Sequence, residues 1–462
     1  MAKENSEEPP ATRTQSRGEA SSGLDRVREA ARGNPRLTNL LHHVTADLLR
    51  SSYRGLKHDA AAGVDEVTWR EYGEGLEERL ADLHRRVQGG TYRAQPSRRI
   101  YLPKPDGRQR PIGIAALEDK IVQKALGEIL GAIWEGDFAH FSYGFRPGRS
   151  QHQALDALWV AITQRKVSWV LDADIRGFFD TLDHTWLMKF VEHRVGDPRV
   201  LRLVRKWLRA GVSDDGQWSP TTVGTPQGAV ISPLLANIYL HYVLDLWVRR
   251  WRKVEAQGEV IIVRYADDFV MGFQHRDDAE RLRAALRERM KQFALELHAE
   301  KTRLIEFGRF AIADRKARGE RRPETFDFLG FTHICAKRRS DGKFTVWRRT
   351  IAKRMRATLV KIGQELKRRR HEPIPRLGRW LRSVVNGFFN YHAVPDNLRR
   401  MASFRDQIAR HWLKALRRRS QKGRSLTWDR MRRYIRRWLP PVGLRHPYPN
   451  MRLRVRSKAR AV

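Results

Sequence analysis

Apolar residues recur at helical spacing from Leu37 to about residue 89, with Leu40, Leu41, Val44, Leu48 and Leu49 in one stripe and Leu76, Leu80, Leu83 and Val87 in another. Each stripe predicts a helix with one buried face. Between residues 98 and 331 the period switches repeatedly. The runs RRIYLP, SWVLDADI, EVIIVRYADDFVMGF and TFDFLGFTHI are β-branched or aromatic and read as strands, whereas residues 116–134, 151–164, 185–194 and 278–297 keep a helical spacing. Strand patterns stop at Ile351. From there Ile351, Met355, Leu359, Ile362 and Leu366 mark an amphipathic helix, followed by candidates near 377–391, 404–418 and 427–438. The pattern predicts an α+β region over 36–340 and a separate all-α region behind it, with no internal repeat.

The ends read differently. Residues 1–35 contain almost no large apolar side chain, so they are expected to form a disordered lead-in that cannot offset its ordering entropy. The rest is 41% hydrophobic overall with 14 Trp and 18 Phe, enough for buried cores. Charge then narrows the class of partner. Lys plus Arg number 91 against 52 Asp plus Glu, a formal +39, and a surplus of that size binds polyanions by displacing their counterions. The surplus is uneven: residues 341–462 hold 35 Lys/Arg and 6 Asp/Glu, a local +29, which leaves +10 for the first 340. Nucleic acid is the expected partner, gripped by a helical region over 341–440 and a basic tail over 441–462. A single cysteine, Cys335, excludes an intrachain disulfide and a cysteine-rich zinc site and reads as core packing. With no apolar signal core and no run near 18 apolar residues, the expectation is a cytoplasmic protein without membrane contact.

The chemistry is expected ahead of the basic region. In VIIVRYADDFVMGF two strand-like runs flank Ala266-Asp267-Asp268, which reads as a β-hairpin with adjacent acids at its tip. Alone, such a pair also describes a solvated turn. In SWVLDADIRGFFD the alternation of Val170, Asp172 and Asp174 puts Asp174 at a strand end. If the two segments are neighbours in one sheet, Asp174, Asp267 and Asp268 converge and would repel each other unless divalent cations neutralised them, with two Mg²⁺ ions the natural occupants. A metal pair of that kind serves nucleotidyl transfer: it activates a hydroxyl nucleophile, bridges the phosphate and stabilises the leaving pyrophosphate.

YADD at 265–268, DIRGFFD at 174–180 and GTPQGAVISPLLANIYL at 224–240 together resemble the reverse transcriptases of group II introns. The resemblance continues through RRIYLPKPDGRQRPIGI at 98–114, FSYGFRPGRS at 141–150 and FDFLGF at 326–331, so it spans essentially all of 36–340. It implies right-hand polymerase fingers and palm with an antiparallel palm sheet, and Asp174, Asp267 and Asp268 as catalytic metal ligands. Lys104 and Arg110 would reach the triphosphate, one as a point charge and the other as a bidentate fork; in a chain this basic, a solvated surface role is the plainer alternative. Ile175 and Phe179 would line the nucleotide, with the Phe179 ring excluding a 2′-hydroxyl, though a core aromatic fits the same position. Pro226, Gln227 and Gly228 would form the loop beside the nucleotide, and a simple helix-entry turn is the alternative. Lys301 would be a general acid for pyrophosphate, although lysine beyond a helix C-terminus is also favoured by the dipole. Phe328, Leu329, Gly330 and Arg146 are assigned to primer and template, and for FLGF a packed hairpin would look the same.

LGRWLRSVVNGFFNYHAVPDN at 377–397 resembles, more loosely, the thumb and maturase region of that family, which binds intron RNA and assists its splicing. The implied partners are intron or other structured RNA, a DNA primer or target and dNTPs, with the oligomeric state open. Many relatives continue into a zinc-organised endonuclease; with one cysteine and an end at Val462 none is expected here. A free-standing polymerase in repair or defence and a non-catalytic RNA chaperone stay open as alternatives; a nucleotide cyclase, which needs no fingers hairpin or basic thumb, ranks last.

Overall fold

The computed structural model describes residues 10–103, 109–214, 216–225, 228–338 and 340–458, with side chains described from residue 22 to residue 453 outside those gaps. Three sheets organise the first 350 residues. The first has β1 (Ser97–Pro103) antiparallel to β2 (Gln109–Ile114) and parallel to a short β4 (Val212–Asp214), which pairs in turn with β5 (Gln217–Ser219). The central sheet runs in the order β6 (Val260–Tyr265), β7 (Asp268–Phe273), β3 (Trp169–Asp174) and β8 (Arg303–Glu306), antiparallel throughout. The third joins β9 (Phe326–Phe328), β10 (Phe331–Lys337) and β11 (Phe344–Thr350).

Helices cover these sheets where the apolar stripes require it. The helix over Leu117–Trp134 buries Ile121, Val122, Ala125, Leu126, Ile129 and Ile133, consistent with the near-continuous apolar run of its sequence. Gln151–Gln164 opens on a capping box in which Ser150 and Gln153 each accept from the other's backbone N–H. Beyond β11 lies a second core, built by Ala352–Arg368, Ile374–His392, Leu398–Arg417 and Trp428–Trp438, with Met355, Leu359, Ile362 and Leu366 facing it as the spacing predicts. β11 ends at Thr350, so the strands stop just before Ile351 as the pattern predicts, beyond the 36–340 range assigned to the α+β region.

The N-terminal segment departs from expectation. Pro10–Gly33 is helical, not a disordered lead-in. Val27 and Ala31 bury one face, and the Arg194 guanidinium donates to the carbonyls of Ala31, Asn34 and Pro35, tying the helix end to the body. A few small apolar residues suffice once a long-range cation caps the last turn. The basic tail also folds back. Arg445 N–H donates to Ala393 O at 2.9 Å, His446 stacks on His152 with ring centroids 3.7 Å apart, and Arg452 pairs with Asp156 at 3.1 Å. Asp156 is buried and already holds Arg348 at 2.7 Å, so a buried carboxylate recruits the tail.

His333 on β10 is fully buried, stacked on Phe326 with centroids 4.7 Å apart, and burial pushes its pKa down to about 3. The unfolded imidazole binds its proton near pH 6.5, so from there down to about pH 3 the unfolded state holds the extra proton and stability falls as pH falls. His333→Phe keeps the stacked ring without the titration. Denaturant unfolding at about pH 7 and about pH 5 is expected to show a wild-type loss larger than that of the variant by on the order of 2 kcal/mol; equal losses would remove His333 as a cause.

Candidate catalytic centre

β3 and β7 pair so that Asp174, the last residue of one, lies directly opposite Asp268, the first of the other. Tyr265 pairs with Asp268, leaving Ala266 and Asp267 as a two-residue hairpin loop with Ala266 at φ 56°. The three acids therefore share one sheet end, as the sequence reading expects. Facing carboxylates in an antiparallel pair repel, and the electrostatics record it. Burial first, then the charges of Asp172, Asp267 and Asp174, push Asp268 up to about 7. Asp267 is also raised, by burial and by Asp174, against the pull of Arg110 and Arg264.

Lysine supplies one counter-charge. The chain after Asp174 is held by Glu296–His298, with Ile175 bridged to Leu297 and His298 N–H donating to Asp174 O at 2.8 Å. The turn that follows brings Lys301 Nζ to 2.6 Å from Asp174 Oδ2. Lys301 thus meets a carboxylate directly rather than simply trailing a helix, whose own end lies earlier, at Gln292. Asp172, two residues upstream of Asp174, is raised to about 6 chiefly by burial, with Arg303 3.7 Å away opposing.

Behind the turn stands a residue that the sequence reading passed over. Arg264 is fully buried and pairs with the equally buried Asp245, which closes a π-helical turn over His241–Asp245. Its Nη1 also donates to Asn237 Oδ1 at 3.0 Å and to Ala266 O at 2.9 Å, so it holds the left-handed residue of the acidic loop. Asn237 Nδ2 in turn donates to Gly144 O at 2.7 Å. Gly144 packs so closely that an added Cβ would lie 2.3 Å from Ala266 N. Tyr143 N–H to Arg264 O and Arg264 N–H to Phe141 O complete the clamp. The available signal was an arginine inside an otherwise apolar strand, VIIVRY.

The remaining candidates divide. Arg110 is exposed on β2, and its charge is felt at Asp267. Phe179 is half-buried, its ring edge-on to Phe178 at 5.4 Å, and its carbonyl accepts from Thr225 N–H at 2.8 Å. Gly228, at φ 114°, lies so near β2 that a Cβ would come within 2.6 Å of Gly113 O, which ties its loop to the β1–β2 hairpin. Lys104, Pro226 and Gln227 lie outside the described residues. The Ile175 side chain is buried, so only its backbone can face a ligand. Phe328 is buried as well, while Leu329 and Gly330 form a tight turn with φ of 46° and 84°, held by Tyr391 Oη donating to Leu329 O at 2.8 Å. Arg146 is a correction: it is buried, paired with Glu135 at 2.8 Å and donating to Ala139 O and Ser142 O, and its guanidinium is spent on the fold rather than on primer or template.

Among the described residues no three carboxylate, imidazole or thiol groups converge tightly enough to ligate one ion, since Asp174 is turned to Lys301. The donor set still suits hard divalent cations: all-oxygen ligands, on paired backbones, two of them raised by burial and by neighbouring carboxylates. Asp174, Asp267 and Asp268 would hold such ions.

Comparison with known proteins follows the same outline. A family profile described as reverse transcriptase (RNA-dependent DNA polymerase) matches residues 102–333. Protein YkfC of Escherichia coli (strain K12) is 38% identical over 45% of this chain and 62% of its own length. Group II intron-encoded protein LtrA of Lactococcus lactis subsp. cremoris is 37% identical over 41% of this chain and 30% of its own. An uncharacterized 91 kDa protein in a cob intron of Schizosaccharomyces pombe is 41% identical over 32% and 18% respectively. The chain thus spans less than two thirds of the length of each of these relatives.

Removing Asp245 leaves a buried guanidinium unpaired. Asp245→Ala is expected to lower unfolding free energy by about 3–5 kcal/mol, measured by denaturant titration. The pair replacement Asp245→Leu with Arg264→Met is expected to regain most of that loss while the amides of 265–268 exchange faster; unchanged exchange there would show that Arg264 does not hold the loop.

Proposed function

This chain belongs to the reverse transcriptase (RNA-dependent DNA polymerase) family, and on that premise we propose that it is an RNA-directed DNA polymerase of the group II intron-encoded kind, binding intron RNA, assisting its splicing and copying it into DNA. The observation that carries the catalytic part is the register that sets Asp174 opposite Asp268 with Asp267 at the adjoining turn.

Two Mg²⁺ ions bound there would activate the primer 3′-hydroxyl and neutralise charge on the leaving pyrophosphate. The chain's own residues prepare that state. Asp174, Asp267 and Asp268 would hold the cations, their backbones pinned by β3, β7 and the Arg264 clamp. Arg110, and Lys104 by its position in the sequence motif, meet the triphosphate, where a guanidinium offers paired N–H donors to phosphate oxygens. Lys301, 2.6 Å from Asp174, stands where it can hold a proton near the departing phosphate. Phe179 faces the sugar and favours deoxyribose by bulk. The Leu329–Gly330 turn, fixed by Tyr391, supports the primer end. The helical region beyond residue 351, densely basic with rings at Trp380, Phe388 and Trp412 mostly packed in its core, turns charge toward RNA.

The test is primer extension on an RNA template with dNTPs and Mg²⁺. Wild type is expected to extend and Asp267→Asn to fall by at least about 1,000-fold, the scale of losing a charge-stabilising group at the reacting centre. No extension by folded wild type would overturn the polymerase and favour a role confined to RNA binding. Phe179→Val is expected to raise ribonucleotide incorporation relative to dNTPs on the order of 10- to 100-fold; an unchanged ratio would assign Phe179 to packing alone.

A further inference from the structure

On the outer flank of the central sheet, reaching along β6 from roughly 10 to roughly 20 Å from the acidic loop, lies a cavity of about 830 Å³. Its floor is apolar, with Phe141, Ile261, Val263 and Leu453, and one side is β6, the edge strand of the sheet. Four cations line it: Arg165, just past Gln151–Gln164, and Arg249, Arg252 and Lys253 on Leu246–Val254. The acid among its lining residues is Glu259.

All four are exposed, and among the described residues none of their side chains has a carboxylate or hydrogen-bond partner; Arg250 on the same helix and Arg283, Arg287 and Lys291 on Arg276–Gln292 share that lack, so what sets the four apart is that they line one cavity with an apolar lining. Burial first, and then the charge of Arg165, hold the Arg252 guanidinium below its ordinary pKa. Arg249, Arg252 and Lys253 stand at positions i, i+3 and i+4, so they project from one helix face. A row of unneutralised cations above an apolar, partly aromatic floor is how proteins hold a single nucleic-acid strand, phosphates on the rim and bases against the floor. A duplex, with bases stacked inside and phosphates outside, would leave the floor unused.

We propose that this groove binds a single-stranded segment of nucleic acid through its phosphates, outside the primer–template cleft. The site does not rest on the polymerase reading, and its test reads binding rather than synthesis.

The full chain carrying R249Q/R252Q/K253Q would be compared with wild type for binding of an unstructured oligoribonucleotide of about 12 nucleotides, by anisotropy across a salt series. Loss of three phosphate contacts is expected to flatten the slope of log K against log salt by about 2 and to weaken binding on the order of tenfold near physiological salt. A charge-matched control, R283Q/R287Q/K291Q on Arg276–Gln292, is expected to change the slope far less, and both proteins should extend a short primer–template at the wild-type rate if the chain polymerises. Equal losses in the two variants would overturn the site in favour of general charge. Unchanged oligonucleotide binding, with loss confined to a polyglutamate competitor, would overturn it in favour of an acidic protein segment.

Discussion

A guanidinium with no access to water sits directly behind the acidic loop, and the geometry of that loop follows from how its charge is satisfied. Arg264 needs a buried anion, and Asp245 meets that need from a π-helical turn on the far side of the core. Its remaining donors reach Asn237 and the carbonyl of Ala266, a residue in left-handed backbone. Asn237 extends the network to Gly144, where a larger residue could not approach the loop. A helix, a loop and a hairpin from separate parts of the chain are thereby locked around two residues. A tight β-turn alone would tolerate several local conformations; a buried charge with four hydrogen bonds to three fixed partners does not.

That rigidity lets the sheet end accumulate negative charge. Asp174 and Asp268 are opposed across β3 and β7, with Asp267 and Asp172 close enough to raise Asp268 to about 7. A flexible loop would relax by splaying the acids apart. Here the backbone is over-determined, so the repulsion persists. Lys301 offsets part of it at Asp174, and Arg303 part of it at Asp172.

The distribution of positive charge follows a related logic. Where an arginine is buried it is paired, as with Arg146, Arg348 and Arg264. The buried Asp156 uses two arginines, one on β11 and one in the C-terminal segment, and so fastens the end of the chain across the sheet region. Cations without carboxylates remain at the surface, and around the groove beside β6 they gather on one helix face above apolar residues. In that setting charge is a property of a place, not only of the chain's total.

The period of the apolar residues located β1, β3, β6, β7, β9 and β10 and several helices, because burial on one face imposes 2 or 3.6 spacing whatever the neighbours are, while β2, β4, β5, β8, β11 and the helix over Pro198–Arg209 were not read from it. Leu359 and Ile362 faced the core they predict, and YADD formed the hairpin it predicts. Alternation likewise placed Asp174 at a strand end, and family resemblance joined it to Asp267 and Asp268. Which strands would be neighbours, and in what register, came from the assembled sheet. The packing roles of Arg264, Asp245 and Gly144 came from there too, as did the burial of Arg146, the helix near the N-terminus that composition had read as disordered, and the docking of the basic C-terminal segment. Local pattern reports how one segment meets an apolar interior; which charge meets which depends on residues distant in sequence, and only the folded chain brings them together.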